Sequence, residues 1–239
     1  MRRVLVTGGG TGIGRAISRA FSEAGDAVTI CGRRLGPLQE AAEGFDMQLR
    51  QADVTDEASV AALFEDPFDV VVANAGAGQP SRLEKTSLDV WNNTLSVTLT
   101  GVFLTFRSAL PLMTQGGRLI AIASTASLQG GANIPAYAAA KHGVLGLVRS
   151  VAQDVAKKGI TCNAVCPGFV DTDMAETAIS GLMNRFDIDH AEATRMIASG
   201  NPMSRLITPN EVAATTLFLA SKGAASINGH ALSVSGGEI

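Results

Sequence analysis

The sequence predicts one α/β domain, in which a doubly wound parallel sheet of seven strands carries helices on both faces. Three observations predict it. Short β-branched runs alternate with longer helix-compatible stretches, as in parallel sheets. A chain of 239 residues, 46% of them hydrophobic, is long and apolar enough to bury a core of its own. No linker, repeat or low-complexity tract divides it, so we expect residues 1–239 to form a single domain.

The elements follow from the hydrophobic pattern. The predicted strands are Val4–Thr7, Ala27–Cys31, Met47–Ala52, Val70–Ala73, Arg118–Ala123, Thr161–Cys166 and Ala231–Val234. The predicted helices are Gly14–Ala24, Pro37–Glu43, Glu57–Phe64, Leu88–Met113, Tyr137–Lys157 and Pro209–Ser221. Residues 170–203 do not fit the alternation, because no clear helix signal appears before Thr208-Pro209. Long excursions inside a compact domain are usually functional, so we expect this segment to be a substrate lid.

Composition excludes several classes of protein. The 19 basic and 22 acidic side chains give a net charge of −3 without a basic run, which argues against nucleic acid as a partner. The longest uncharged stretch, residues 119–140, is interrupted by polar residues, Gly and Pro, so it is a poor candidate for a membrane span. Three cysteines are too few for a disulfide framework and indicate a reducing, cytoplasmic location.

A glycine-rich turn follows the first predicted strand. It reads Thr7-Gly8-Gly9-Gly10-Thr11-Gly12-Ile13-Gly14 and leads into a helix. Glycines at such a turn let the backbone approach a pyrophosphate, and the helix N-terminus supplies free N–H groups and partial positive charge. A simple flexible turn is the alternative. A nucleoside-triphosphate loop is excluded, because Arg15-Ala16 follows Gly14 where that loop requires Lys-Ser or Lys-Thr.

A second constellation combines Ser124, Tyr137 and Lys141. Tyr137 and Lys141 are four residues apart on a predicted helix, so their side chains share a face. A cation about 4 Å from the phenol is worth about three pK units at an effective dielectric constant of about 20, so we expect Lys141 to bring the tyrosine pKa near 7. Ser124 ends a predicted strand, where parallel sheets bind ligands. Tyr137 is the only tyrosine in the chain.

These motifs together resemble the short-chain dehydrogenase/reductase family. They occur in the family's order: Thr7-Gly8-x-x-x-Gly12-Ile13-Gly14, Asn74-Ala75-Gly76, Ser124, Tyr137-x-x-x-Lys141 and Pro167-Gly168. The resemblance implies a Rossmann-type sheet, a nicotinamide dinucleotide, and hydride transfer between the nicotinamide and a carbonyl or alcohol carbon. Tyr137 is then the general acid in reduction and the general base in oxidation. Ser124 binds the carbonyl oxygen, and Lys141 binds the nicotinamide ribose.

The same resemblance implies a set of cofactor-binding residues. Asp53, after the third strand, would accept a hydrogen bond from the adenine amino group. The full implied set is Gly8, Thr11, Gly12, Ile13, Gly14, Asp53, Val54, Asn74, Gly76, Tyr137, Lys141, Pro167, Gly168, Val170 and Thr172.

One position departs from the family pattern. The fourth catalytic position of the family is an asparagine, and counting from Trp91 places Thr98 there. In the family this residue holds a water in a proton relay to Lys141, largely through its backbone carbonyl. A threonine keeps that carbonyl, so we expect the relay to survive.

The end of the second strand selects between cofactors. An acidic residue there would favour NAD and repel the 2′-phosphate of NADP. The chain instead has Cys31-Gly32-Arg33-Arg34, and two guanidiniums suit bidentate phosphate binding. We therefore expect NADP(H) to be preferred, with NAD(H) as the alternative cofactor. The alternative for Arg33 and Arg34 is that they are solvated surface charges without a ligand.

The substrate is predicted only as a class. The stretches around Ser124 and Pro167 resemble those of 3-oxoacyl-thioester reductases and polyketide ketoreductases, which implies a small carbonyl substrate on acyl carrier protein, on coenzyme A or as a free β-keto compound. Another ketone or alcohol, and a non-catalytic dinucleotide sensor, are the alternatives. Family members usually form homotetramers, so we expect one. The cluster Asp187, Asp189, His190 and Glu192 is interpreted as helix caps, and no metal is expected.

Overall fold

The computed structural model describes residues 1–239 and contains one parallel sheet. Its strands are β1 Arg3–Thr7, β2 Ala27–Gly32, β3 Met47–Gln51, β4 Val70–Ala73, β5 Arg118–Ile122, β6 Thr161–Pro167 and β7 Ala231–Val234. They lie in the order β3-β2-β1-β4-β5-β6-β7, with every neighbouring pair parallel. The predicted doubly wound, seven-stranded sheet is confirmed, and no strand end differs from its predicted position by more than one residue.

Helices cover both faces of the sheet. They are α1 Gly12–Glu23, α2 Leu35–Ala42, α3 Glu57–Ala61, α4 Leu88–Leu95, α5 Gly101–Ala109, α6 Pro135–Val155, α7 Asp173–Phe186, α8 His190–Ala198 and α9 Pro209–Ala220. On one face of the sheet, α1 packs through Phe21 and α9 through Leu219. On the other face, α5 packs through Phe106 and α6 through Val148. Burial on both sides explains why the strands are almost continuously apolar. None of the helices combines the length and apolar character needed to cross a bilayer.

The strand order reverses between β1 and β4, and this reversal positions the site. β1 continues to β2 and β3 on one side, whereas β4 leads to β5, β6 and β7 on the other. The loops after β1 and β4 therefore turn away from each other and leave a crevice at the carboxyl ends of the strands, where open α/β sheets bind ligands.

The helix predicted over Leu88–Met113 is interrupted, so that prediction is wrong in its extent. A π-helical turn at Ser96–Thr100 separates α4 from α5. The Thr98 hydroxyl bonds outside the helix, accepting from the Ala77 N–H at 3.1 Å and donating to the Ala77 carbonyl at 2.8 Å. The continuous helical pattern of the sequence does not reveal this non-local pair of bonds.

Residues 170–203 contain two helices, α7 and α8, which pack against each other. The segment is tied at its base, because Val170 and Ile207 form a parallel bridge and the Asp171 N–H donates to the Ile207 carbonyl. Asp189 caps α8 by accepting from the Glu192 N–H at 2.8 Å. The acidic cluster therefore includes a helix cap, as the sequence indicated.

Candidate active site

The glycine-rich turn lies between β1 and α1 and brings backbone to the edge of the crevice. Gly8 and Gly12 adopt positive φ angles of 65° and 48°, which only glycine adopts without strain. A β-carbon on Gly14 would collide with the Gly8 carbonyl oxygen, so the turn closes tightly over the start of α1. Thr11 precedes α1 but makes no side-chain cap bond, which leaves the first N–H groups of the helix for a ligand.

Asn74 fastens this turn to β4. Its side-chain amide donates to the carbonyls of Thr7 and Gly8 at 2.9 and 3.1 Å. In return, the N–H groups of Asn74 and Ala75 donate to the buried Thr7 hydroxyl at 3.0 and 3.1 Å. Asn74, predicted as a cofactor residue, thus also holds the loops on the two sides of the strand-order reversal together.

An open cleft of about 330 Å³ runs along the crevice. Of the predicted cofactor residues it is lined by Gly8, Thr11, Gly12, Ile13, Gly14, Arg33, Arg34, Asp53, Val54, Asn74, Gly76, Tyr137, Lys141 and Thr172. Its wall does not include Pro167, Gly168, Val170, Ser124 or Thr98. Gly10, Gly32, Pro37, Leu38, Asp173 and Met174 line it without having been predicted. Asp173 and Met174 begin α7, so the 170–203 segment contributes directly to the cleft.

The end of the cleft near β2 is basic. Arg33 and Arg34 are exposed and line the wall, and no carboxylate stands in their turn. Asp53 lines the same end, with one carboxylate oxygen accepting from the N–H and the hydroxyl of Thr55 at 2.9 and 2.8 Å. These bonds lower the pKa of Asp53, and the charge of Arg33 lowers it further, so the carboxylate is ionised at neutral pH.

At the other end the structure brings Ser124, Tyr137 and Lys141 together. Tyr137 lies in the first turn of α6 and Lys141 one turn later, with the ammonium 5.5 Å from the centre of the tyrosine ring. The Lys141 ammonium also donates to the carbonyl of Ile122 at 2.7 Å. Ser124, two residues after β5, lies close enough to Tyr137 for its side chain to lower the pKa of the phenol. A proton donor, its partner hydroxyl and a buried cation thus converge beside the cleft.

Burial controls the protonation of this group. It raises the pKa of Tyr137 above its usual range, although the nearby Ser124 side chain lowers it. It lowers the pKa of Lys141 to about 8. The expectation that Lys141 brings the tyrosine pKa near 7 is therefore wrong for the chain without cofactor. Attraction by the Lys141 cation would lower the tyrosine pKa, but the desolvation of the phenolate is the larger effect here.

Known proteins share the sequence pattern of this site. The chain matches the family described as "Enoyl-(Acyl carrier protein) reductase" over residues 8–238. It is 36% identical to a putative ketoacyl reductase of Streptomyces coelicolor, over 98% of this chain and 95% of that protein. The chain belongs to the short-chain dehydrogenase/reductase family. The family prediction is thereby confirmed.

Further relatives and a solved structure agree with this family. The chain is 35% identical to the 3-oxoacyl-[acyl-carrier-protein] reductase FabG of Vibrio harveyi, over 98% and 95% of the two chains. It is 32% identical to a D-beta-hydroxybutyrate dehydrogenase of Rhizobium meliloti, over 99% and 98%. A crystal structure of a variant of actinorhodin polyketide ketoreductase with NADPH superimposes with a TM-score of 0.91 and 34% identity, covering 99% of this chain and 97% of that one.

In this short-chain dehydrogenase/reductase, the loop after β4 supports the tyrosine. A β-carbon on Gly78 would come within 2.5 Å of the Tyr137 ring, so the Gly78 backbone packs directly on it. The neighbouring Ala77 is fixed by its two bonds to Thr98, which is fully buried. Gly78 was not predicted, because its role depends on packing between two loops distant in sequence. The Thr98 hydroxyl makes these bonds, whereas the prediction for this residue concerned its backbone carbonyl.

Proposed function

We propose that this protein is an NADP(H)-dependent ketoreductase. It transfers a hydride between the nicotinamide and a carbonyl or secondary alcohol carbon, with a 3-oxoacyl thioester or a related β-keto compound as the substrate class. The observation that carries the proposal is the convergence of Ser124, Tyr137 and Lys141 at one end of a cleft whose middle is the glycine-rich turn. The ketoacyl reductases among its relatives support the substrate class.

The residues of the cleft fit a nicotinamide dinucleotide phosphate. The turn around Gly8 and Gly14 has no room for side chains and presents free N–H groups to a pyrophosphate. Arg33 and Arg34 are placed to bind a 2′-phosphate, which an acidic residue at that turn would repel. Asp53 is available to the adenine. The bound cofactor supplies the hydride from C4 of its nicotinamide.

The chain's own residues supply the proton and the oxygen site. Ser124 donates a hydrogen bond to the carbonyl oxygen of the substrate, and Tyr137 transfers its phenolic proton to that oxygen as charge develops there. The raised pKa keeps Tyr137 protonated at neutral pH, which suits an acid in the reduction direction. Lys141 holds the ribose and stabilises the tyrosinate left behind. The Thr98 carbonyl completes the proton relay to Lys141.

Three further features belong to this proposal. The segment 170–203 acts as the substrate lid, since Asp173 and Met174 already line the cleft from α7. Pro167, Gly168 and Val170, at the base of that segment, would help to hold the nicotinamide. The protein works as a cytoplasmic homotetramer, and its three buried, unpaired cysteines are consistent with a reducing compartment.

The decisive experiment follows the absorbance of NADPH with a panel of β-keto esters, thioesters and ketones, for the wild type and Tyr137→Phe. We expect turnover by the wild type and a loss of about a thousandfold in kcat for the variant, because the general acid is gone. NADPH affinity, measured in parallel, should stay within about threefold and so report an intact cleft. Tight NADPH binding without turnover of any substrate would favour the alternative of a dinucleotide sensor.

A further inference from the structure

We infer that Gln51, at the end of β3, is a positioning residue that helps to set the preference for NADP(H) over NAD(H). The inference rests on the proposed function and adds to the two arginines of the basic end a residue that lies outside the cleft wall. Gln51 acts by fixing the peptide group that joins Arg33 to Arg34, and it does so without adding a negative charge beside them.

The turn after β2 lies beyond the last backbone bond of the sheet. β2 pairs with β3 as far as Gly32, and the Ala52 N–H donates to the Gly32 carbonyl at 3.1 Å. Helix α2 begins only at Leu35, and its N-cap residue, Arg34, has an extended backbone and makes no side-chain cap bond. Arg33 and Arg34 therefore lie between the ladder and the helix, where the backbone needs another partner to fix it.

A side chain of β3 continues the ladder by one bond. The Gln51 amide donates to the Arg33 carbonyl at 2.8 Å. Because this carbonyl and the Arg34 N–H belong to one planar peptide group, the bond fixes the plane between the two arginines. It thereby restricts the directions in which both side chains leave the backbone. A turn that is oriented before its ligand arrives loses less conformational entropy on binding.

The charges around Arg33 explain why a neutral amide suits this position. Asp53, which also follows β3, lies close enough to Arg33 for the guanidinium to lower the pKa of its carboxyl group. This end of the cleft thus already contains one negative charge. A second carboxylate at position 51 would repel a 2′-phosphate, and in its ionised form it could not donate to the Arg33 carbonyl. Gln51 supplies the donor without the charge.

The role of Gln51 should affect NADPH and spare NADH. Arg33 and Arg34 line the cleft and are proposed to bind the 2′-phosphate, which NADH lacks. The glycine-rich turn, proposed for the pyrophosphate that both cofactors share, is held instead by the Asn74 amide, which donates to the carbonyls of Thr7 and Gly8. Loss of the Gln51 bond therefore leaves the site for the shared part of the two cofactors in place.

The test measures the dissociation constants of NADPH and NADH by titration, so it needs no substrate. Gln51→Met keeps the length of the side chain and removes the donor. NADPH should bind about fivefold more weakly to this variant, whereas NADH affinity should stay within about twofold. Gln51→Glu also adds a charge, so its NADPH affinity should fall by about twentyfold.

Matched controls are available on the same strand. Gln48 is exposed, lies three residues before Gln51 on β3, and its side chain leaves the opposite face. Gln48→Met and Gln48→Glu should change the affinity for either cofactor by less than about twofold. Thermal unfolding of each variant checks that the protein is folded.

The outcomes separate this inference from the proposed function. Equal affinities of the wild type for NADPH and NADH would count against the proposed cofactor and the inference together. A wild-type preference for NADPH that Gln51→Met leaves unchanged would overturn the inference alone, even if Gln51→Glu weakens NADPH binding, because charge and not the hydrogen bond would then be responsible. An equal loss of affinity for both cofactors would also overturn it, since a merely structural role predicts that result.

Discussion

The two halves of the cleft recognise their ligands by different means. The dinucleotide half is built from backbone: Gly8 and Gly12 adopt positive φ angles, Gly14 has no room for a β-carbon, and the Asn74 amide fixes the turn. The substrate half is built mainly from side chains: Tyr137 and Lys141 of α6, and Asp173 and Met174 at the start of α7, line the cleft, and Ser124 lies beside it. The dinucleotide is therefore recognised mainly by backbone geometry, whereas the substrate is recognised mainly by side chains.

The strongest test of the backbone half is Gly14→Ala. The added β-carbon collides with the Gly8 carbonyl, so the turn must open, and we expect NADPH affinity to fall by at least about a hundredfold. Gly146→Ala on α6 is the matched control, because nothing lies within 4 Å of its added carbon. Titration with NADPH measures both, and thermal unfolding checks that each variant folds. Unchanged NADPH affinity in Gly14→Ala would contradict the backbone mechanism.

At the end of the dinucleotide half near β2, recognition depends on the side chains of Arg33 and Arg34. Substituting both arginines by Ala tests whether they bind the 2′-phosphate. Removing both guanidiniums should weaken NADPH binding by roughly thirtyfold and leave NADH binding nearly unchanged, since only NADPH carries the 2′-phosphate. Arg195→Ala, at an exposed position on α8, is the control. An equal loss for both cofactors would show that the arginines do not read the phosphate.

In the substrate half, we expect substitution of Gly78 to lower the rate of the chemical step. In Gly78→Ala the new carbon presses on the Tyr137 ring, so the phenol shifts away from its position beside Ser124. We expect kcat to fall by about tenfold while NADPH affinity is retained, because displacement of a general acid affects the chemical step. Gly130→Ala, with nothing within 4 Å of its added carbon, is the loop control. A change confined to NADPH binding would place Gly78 in the dinucleotide half.

The pH dependence of ketone reduction shows which catalytic group, Lys141 or Tyr137, loses its proton first. The free enzyme has a Lys141 pKa of about 8 and a Tyr137 pKa above its usual range. Lys141 therefore loses its proton first as pH rises, and kcat/KM should be level near neutrality and fall above about pH 8. A fall beginning below pH 7 would instead indicate an acidified tyrosine. Initial rates at low substrate concentration across this range distinguish the two.

The features that could be predicted from the sequence are those set by spacing along the chain, and the features that could not are contacts between loops distant in sequence. The strands, the glycine-rich turn and the pairing of Tyr137 with Lys141 depend on spacing along the chain, and the structure has all three. The support of Tyr137 by Gly78 and the bonds from Thr98 to Ala77 join loops distant in sequence, and no local pattern encodes them. The tyrosine pKa was mispredicted for a related reason, because desolvation depends on everything packed around the ring and not on one neighbour.

The Asn74 amide has a consequence that reaches across this division. It clamps the turn after β1 to the strand that continues, through Gly76 and Ala77, to the backbone beneath the catalytic phenol. The phosphate turn and the backbone under Tyr137 are therefore joined by one short run of residues that begins at the Asn74 amide. A substitution that frees the turn from Asn74 is expected to disturb the backbone under the catalytic phenol as well as the dinucleotide site.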